Sequence, residues 1–132
     1  MNIEYRDTHE FTTASLERLF LSVNWDSGKY PERLQVAMRN YGSVFSAWDG
    51  DTLIGMVCVM DDGIMTAYIQ YILVDPAYQR LGIGRELLAR VKDRYSDFLR
   101  IILIAYNDKV PFYRSCGFSI GEGKTPVSIE KF

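Results

Sequence analysis

The chain has 132 residues, of which 48% are hydrophobic and 24% are charged, a composition typical of one soluble globular domain with a substantial core. Its formal net charge of −2 argues against general nucleic-acid binding, which needs an excess of Lys and Arg. No apolar run reaches the roughly 20 residues that span a bilayer, and the start lacks a signal-peptide pattern, so we expect a cytoplasmic protein without a membrane segment.

Side chains that bind metal ions through nitrogen or sulfur are scarce. The sequence has one histidine, His9, and two widely spaced cysteines, Cys58 and Cys116. We therefore expect no metal site, and we expect both cysteines to be buried thiols rather than a disulfide.

Acidic and basic residues are segregated along the chain. Residues 40–79 contain five acids and no Lys or Arg, whereas residues 80–114 contain eight bases and four acids. One interpretation is a solvated helix face, and the other is a site for a phosphorylated ligand beside a site for a cation.

The first third of the chain predicts an edge strand and two helices. Residues 1–6 form the strand, and apolar residues at helical spacing between Thr13 and Val23 predict the first helix. We expect Pro31 at the first position of the second helix, which Gly42 ends.

Three strands and a third helix follow. The strands are predicted over residues 43–48, 53–60 and 66–74, with Asp-Gly turn signals between them. After Gly84, an amphipathic helix has a buried stripe that ends at Tyr95.

The remaining elements are shorter. Residues 100–105 are a continuous apolar run, which is the pattern of a fully buried strand. A short helix is expected from Asp108 to Cys116, and one or two final strands within residues 118–131.

The predicted element order is βααβββαβαβ. Hairpins come first and a strand–helix–strand crossover follows, so we predict an α/β fold with a mixed, mostly antiparallel sheet and helices on both faces. No linker or repeat interrupts the sequence, and residues 1–132 are treated as a single domain.

Residues 68–85 carry the main functional signal, because a strand runs into a glycine-containing turn that opens a helix. Unpaired N–H groups at the helix start, and glycines at 82 and 84, predict a cradle for a pyrophosphate. Arg80 and Arg85 can add positive charge. The alternative for Gly82 and Gly84 is close packing of the helix on a strand.

Two other phosphate-binding patterns fit the sequence less well. Dinucleotide-binding folds use a third glycine, and phosphate loops use Gly-Lys-Ser/Thr, and both are absent here.

Two motifs resemble those of a known family. The run Gln79-Arg80-Leu81-Gly82-Ile83-Gly84 resembles the acetyl-CoA signature of the GNAT superfamily of N-acetyltransferases, and Phe112-Tyr113-Arg114-Ser115-Cys116-Gly117-Phe118 resembles its second signature. Asn107 matches a common coenzyme A contact. The wider pattern looks like small bacterial, acetyl-CoA-dependent members of this family.

The resemblance implies a GNAT-like fold and acetyl-CoA as the cofactor. In this family the strand before the loop splays from its neighbour and binds the pantetheine arm through its backbone, and an N–H near Val74 would polarise the thioester carbonyl. The implied cofactor-binding residues are Ile72, Leu73, Val74, Gln79, Arg80, Leu81, Gly82, Ile83, Gly84, Arg85, Asn107, Phe112 and Tyr113.

Catalysis in the family implies roles for further residues. Tyr113 would protonate the leaving thiolate, and its alternative role is a buried phenol that packs under the sheet. Direct attack needs a neutral amine, and Tyr71 stands where related sequences often have Asp, which weakens the case for a dedicated base. The candidates for leading the proton away are Tyr68 or Tyr71 through water, or Asp26 or Asp62 from a loop.

Two further residues could be mistaken for catalytic groups. We expect His9 to be an exposed or capping histidine rather than a general base. Cys116 is expected to be a structural thiol, because no histidine is placed to activate it.

Aromatic residues predict an acceptor pocket between the first helices and the acidic part of the sheet. Aromatic walls with nearby acids favour an organic cation, and the alternative is that these rings are core. The candidate residues are Trp25, Tyr30, Trp48, Tyr68 and Tyr71.

The sequence thus predicts an acyltransferase that moves acetyl from acetyl-CoA to a primary amine of a small molecule or a peptide. The alternatives are a coenzyme A-binding regulatory or scaffold protein without turnover, and a nucleotide-binding module. The family often forms dimers, so a homodimer is a further expectation, whereas the acceptor amine and the acyl-chain preference stay open.

Overall fold

Strands rich in β-branched and aromatic residues form the centre of the fold. The computed structural model describes residues 2–131. Its five strands are β1 (Ile3–Asp7), β2 (Ser43–Asp49), β3 (Thr52–Asp61), β4 (Thr66–Val74) and β5 (Arg100–Leu103).

These strands pair in the order β1-β2-β3-β4-β5 within one sheet. The first four are antiparallel neighbours, whereas β4 and β5 are parallel because a helix crosses over between them. The prediction of a mixed, mostly antiparallel sheet is confirmed.

Four α-helices pack on this sheet, and their starts follow local signals. Thr12 caps the first helix by accepting a hydrogen bond from the amide of Ser15 at 3.1 Å, and Pro31 begins the second helix as predicted. The helices are α1 (Thr13–Ser22), α2 (Pro31–Asn40), α3 (Ile83–Arg94) and α4 (Val110–Ser115).

Each face of the sheet carries its own core. On one face, α1 and α2 bury side chains that include Leu16, Phe20 and Met38. On the other face, α3 buries Leu87 and Val91, and residues of α4 pack against the same cluster. The predicted helices on both faces are therefore confirmed, and the sheet separates two environments. None of the described helices is long and apolar enough to cross a membrane.

Two predictions about the second half of the chain are wrong. The run 100–105 is not a fully buried strand, because β5 has four residues, lies at the sheet edge, and leaves Ile102 39% and Ile104 63% exposed. Within the described part of the chain, residues 118–131 form no strand. An apolar or alternating pattern favours extended backbone, but a buried strand also needs a neighbour and a covering layer.

A polar contact ties α1 to the end of β4. Arg18 donates to the carboxylate of Asp75 at 2.8 Å and to the carbonyl oxygen of Leu53 at 2.5 Å, and the amide of Ala77 donates to the same carboxylate. Burial alone would raise the pKa of Asp75, but the hydrogen bonds from Arg18 and Ala77 outweigh it and the pKa is lowered.

We predict that Asp75→Asn lowers the free energy of unfolding at pH 7 by about 1–2 kcal/mol, since it weakens hydrogen bonds to a buried carboxylate. Because the pKa of Asp75 is lowered by folding, its contribution is complete above the ordinary Asp pKa and is lost as the pH falls through the folded-state value. The difference between variant and wild type should therefore shrink in acid.

Urea unfolding followed by circular dichroism between pH 7 and pH 3 measures this difference. Glu17→Gln is the matched control, because Glu17 is an exposed acid on α1 beside Arg18. A difference of the same size at both ends of the pH range would contradict the assignment.

Candidate active site

A gap opens between β4 and β5 where their pairing stops. The two strands pair only between Thr66–Ile69 and Arg100–Leu103, and β4 then continues to Val74 without a neighbour on that side among residues 2–131. The sequence-predicted residues Ile72, Leu73 and Val74 lie on this open edge. Backbone N–H and C=O groups there can bind an extended ligand.

A β-bulge lies where the gap begins, directly after the last β4 residue that pairs with β5. Cys58 pairs with Tyr71 and Val59 pairs with Ile69, so Gln70 has no partner in β3. In a regular strand Tyr68 and Tyr71 would point to opposite faces, but the extra residue places both on the face that α1 and α2 cover.

The loop after β4 leads into α3 through unusual backbone. Gly82 has a φ of 79° and Arg80 a φ of 67°, and both are left-handed. The first backbone bond of α3 runs from the amide of Glu86 to Gly82, so the amides of residues 83–85 have no acceptor within the helix. These amides and the helix dipole give this point a positive potential, which favours an anion.

Gly82 and Gly84 serve different purposes. A Cβ at Gly82 would meet nothing within 4 Å, so the surface here is open as well as left-handed. A Cβ at Gly84 would lie 3.4 Å from the ring of Phe112, which means that this glycine lets α3 approach α4. Gly84 therefore serves close packing, but of α3 on the helix α4 rather than on a strand as the alternative interpretation supposed.

The predicted polar residues of this loop differ in their contacts. The guanidinium of Arg85 donates to the side chain of Ser115 at 2.9 Å and to the carbonyl oxygen of Ser115 at 3.3 Å, so these hydrogen bonds link α3 to α4. Gln79 donates to the carbonyl oxygen of Val74 at 3.3 Å. The side chain of Arg80 is exposed and makes no hydrogen bond or ion pair with other residues of the described chain, so it can reach an anion. Leu81 is 53% exposed beside it.

Tyr113 lies between two rings on the α3 face. Its ring centroid is 5.2 Å from that of Phe112 and 5.8 Å from that of Phe118. It packs against the same core cluster as Ile72 and Val74 of the open edge. The open edge of β4 and the phenol of Tyr113 therefore pack against the same hydrophobic cluster.

The environment of Tyr113 suits a proton donor. Burial of the ring, with a smaller effect of Cys116, raises the pKa of Tyr113, so the phenol is protonated at neutral pH. The hydroxyl of Tyr113 makes no hydrogen bond within residues 2–131. Every buried polar side-chain atom in that range has a hydrogen-bond partner, so this unpartnered hydroxyl is not buried and is accessible. Asn107, at the start of a short turn after β5, is also exposed.

An aromatic cluster occupies the opposite face. The ring of Tyr71 lies 4.9 Å from Phe20 and 6.0 Å from Trp25, and its hydroxyl is 2.8 Å from that of Ser27. Tyr41 adjoins this cluster, and burial, followed by weaker effects of Cys58, Tyr71 and Tyr68, raises its pKa. The structure thus brings together Trp25, Tyr68 and Tyr71 of the predicted acceptor residues.

Ser27 and Tyr41 were not predicted as part of this cluster. Neither residue belongs to a motif, so only the packing of the helices reveals their place.

Three sequence candidates lie outside the cluster. Trp48 stacks on Phe11 at 6.1 Å in the core, so it is not a pocket wall. Tyr30 is 39% exposed, with the guanidinium of Arg33 5.6 Å from its ring centroid. His9 donates through Nδ1 to the carbonyl oxygen of Met38 near the end of α2, which is the capping role that was expected.

The loop acids and Cys116 also have structural partners. Asp62 accepts hydrogen bonds from three amides of the β3–β4 turn, and these bonds, that from Met65 first, lower its pKa. Asp26 forms an ion pair with Lys29 at 3.0 Å. Cys116 is buried and its carbonyl oxygen accepts from Lys92. Within residues 2–131, no group of three or more His, Cys, Asp and Glu is placed to hold a metal ion.

Comparison with known proteins agrees with the sequence motifs. The model of the Acetyltransferase (GNAT) family matches residues 8–118. An uncharacterized ycf52-like N-acetyltransferase of Prochlorococcus marinus is 31% identical over 111 residues, which cover 80% of this chain and 61% of that protein. The chain therefore spans less than two thirds of this relative.

Solved structures agree over most of the chain. A GNAT family acetyltransferase of Streptococcus pneumoniae has a TM-score of 0.84 at 25% identity, over 99% of this chain and 100% of the other. The structure of an acetyltransferase from Deinococcus radiodurans has a TM-score of 0.83 at 28% identity, over 95% of this chain and 87% of the other.

We predict different effects on stability for two glycine substitutions in the loop. Gly82→Ala should destabilise the fold by about 1 kcal/mol, because alanine is strained in left-handed backbone. Gly84→Ala should change stability by less than about 0.5 kcal/mol, because higher helix propensity offsets a close contact with Phe112.

Chemical denaturation of the two variants and the wild type tests this pair. Equal stability of Gly82→Ala and the wild type would contradict the left-handed assignment.

Proposed function

Because the chain belongs to the GNAT acetyltransferase family, we propose that it transfers an acetyl group from acetyl-CoA to a primary amine of a small molecule or a peptide. The observation that supports this most is the shared position of the open edge of β4 and the accessible phenol of Tyr113 on one core cluster. A cofactor on that edge and a proton donor would then lie on the same side of the sheet.

The residues of the gap fit coenzyme A. The unpaired amides at the start of α3, the open surface at Gly82 and the uncommitted side chain of Arg80 suit a pyrophosphate. The open backbone of Ile72, Leu73 and Val74 suits the amides of a pantetheine arm. When bound, acetyl-CoA supplies a thioester carbonyl that an amine can attack.

We assign two groups of this chain to the acyl-transfer step. A backbone N–H of the open edge, at or near Val74, donates a hydrogen bond to the carbonyl oxygen as negative charge develops. Tyr113 donates its proton to the leaving sulfur, and its raised pKa keeps that proton available at neutral pH.

The amine must lose a proton, since an alkylammonium has a pKa near that of lysine, about 10.4. On the acceptor face, the hydroxyls of Tyr71 and Ser27 are hydrogen-bonded to each other and are the best-placed groups to lead this proton toward solvent. Asp26 and Asp62 are weaker candidates, because an ion pair engages Asp26 and turn amides engage Asp62. The aromatic rings of Trp25 and Tyr71 favour an acceptor that carries a cation.

We predict that Tyr113→Phe lowers kcat by about 100-fold and changes KM for acetyl-CoA little, because it removes a proton donor and keeps the ring. Release of the free thiol across a panel of amines measures both constants. Tyr5→Phe is the matched control, because Tyr5 lies on β1 beneath the guanidinium of Arg90. Unchanged turnover of Tyr113→Phe would contradict the assigned role.

We also predict that coenzyme A binds the wild type and that Arg80→Ala weakens binding by about tenfold, through loss of one charge-assisted hydrogen bond. Isothermal titration calorimetry measures the affinity, with Arg39→Ala as the control because Arg39, on α2, already forms an ion pair with Glu10. Competition by ATP or NAD would favour a nucleotide-binding module. Tight binding without thiol release for any amine would favour a regulatory or scaffold protein.

A further inference from the structure

An apolar strip crosses the sheet where α1 and α2 leave it uncovered. Met38 of α2 covers Cys58 of β3, with their sulfur atoms 3.5 Å apart, and Cys58 is fully buried. Met60, two residues further along β3 on the same face, is 43% exposed. Its cross-strand neighbour on β4 is Tyr68, and the neighbour of Tyr68 on β5 is Ile102, which is 39% exposed. These three side chains form one open apolar strip on the face that carries the aromatic cluster.

The apolar strip adjoins the proposed acceptor site. Tyr68 faces the same side of the sheet as Tyr71, because the bulge at Gln70 lies between them. The ring of Tyr71 lies 6.0 Å from that of Trp25. Pairing of β4 with β5 ends at Ile69, so two residues of strand, about 7 Å, separate the strip from Gln70, where the gap begins. An acceptor whose amine reaches the gap can lay the rest of its skeleton on the strip.

The charges around the strip disfavour a second ammonium group on the acceptor. An ion pair engages Asp26, and turn amides engage Asp62, so neither loop acid offers a free carboxylate. On β5, Arg100 lies two residues before Ile102, and its guanidinium donates to the hydroxyl of Thr66 on β4 at 3.2 Å. A polyamine on the strip would bring a second cation toward Arg100 without either loop acid free to balance it. An uncharged skeleton has no such cost.

We propose that the apolar strip binds the body of the acceptor, and that the acceptor is a primary monoamine with an aromatic or aliphatic skeleton. This inference rests on the proposed transfer to a primary amine and names the class of that amine. The rings of Trp25 and Tyr71 receive the single amino group, and Met60, Tyr68 and Ile102 cover the skeleton. Removing about 60 Å² of apolar surface from water gives roughly a tenfold preference over a polar amine.

Initial rates of thiol release at saturating acetyl-CoA test the substrate class with three probe amines. The probe 2-phenylethylamine has an apolar skeleton, ethanolamine has a polar one, and 1,4-diaminobutane has a second ammonium group. We expect kcat/KM for 2-phenylethylamine to exceed that for either other amine at least about tenfold. A short peptide that begins with phenylalanine carries the same chemistry, so its rate beside that of 2-phenylethylamine distinguishes a peptide acceptor from a small molecule.

Substitutions that change polarity and keep the shape of the side chain test the strip itself. The double variant Met60→Gln with Ile102→Thr retains one unbranched and one β-branched side chain. It should lower kcat/KM for 2-phenylethylamine by about tenfold and leave that for ethanolamine unchanged. Val36→Thr is the matched control, because Val36 is an apolar residue of α2 that is 54% exposed outside the strip, and it should leave both values unchanged. Circular dichroism confirms that each variant is folded.

Failure of this inference and failure of the proposed function give different results. Absence of thiol release with every amine contradicts acetyl transfer, and saturation-transfer NMR with 2-phenylethylamine then tests the strip by binding alone. A signal at the phenyl protons that weakens in the double variant and not in Val36→Thr supports the strip, whereas no signal, or equal signals, overturns it. With an active enzyme, equal kcat/KM for the three amines, a preference for the diamine, or an unchanged preference in the double variant overturns the inference.

Discussion

The rest of the site depends on one limit in strand pairing, namely that β4 and β5 share only four residue pairs. Parallel strands held along their whole length would leave no free backbone between them. Here the pairing ends at Ile69, and the bulge at Gln70 follows directly. Bulges bend a strand and increase its twist, so this extra residue gives a physical reason why β4 separates from β5 after Gln70.

The bulge also decides which chemistry lies on which face. Above it, Ile72 and Val74 pack on the α3 side with Tyr113, whereas Tyr71 packs on the α1 side with Phe20. The proposed cofactor and the proposed acceptor would thus approach the same stretch of β4 from different sides of the sheet. The sheet itself then aligns the two reactants, which is the main task of an enzyme that transfers a group directly.

The sequence predicted well what local signals determine. The bounds of β4, the start of α2 at Pro31 and the glycine-containing turn that opens α3 all follow from residues close by in the chain. It failed where a distant partner decides: the exposure of Ile102 and the unpaired state of residues 118–131 depend on what lies beside them. For the same reason the sequence left open whether Trp48 lines a pocket or lies in the core. The bulge at Gln70 has no composition signal, and the tie between Arg85 and Ser115 joins two motifs whose distance the sequence does not give.

The unpaired Gln70 also bears on how this gene can vary. Loss of that one codon would make Ile69 and Tyr71 adjacent and remove the bulge, so Tyr68 and Tyr71 would keep their face but the bend that separates β4 from β5 would be lost. Substitutions at the exposed Gln70 side chain keep the count and should be neutral by comparison. Natural relatives are therefore expected to differ freely in the identity of this residue while conserving the length of the strand.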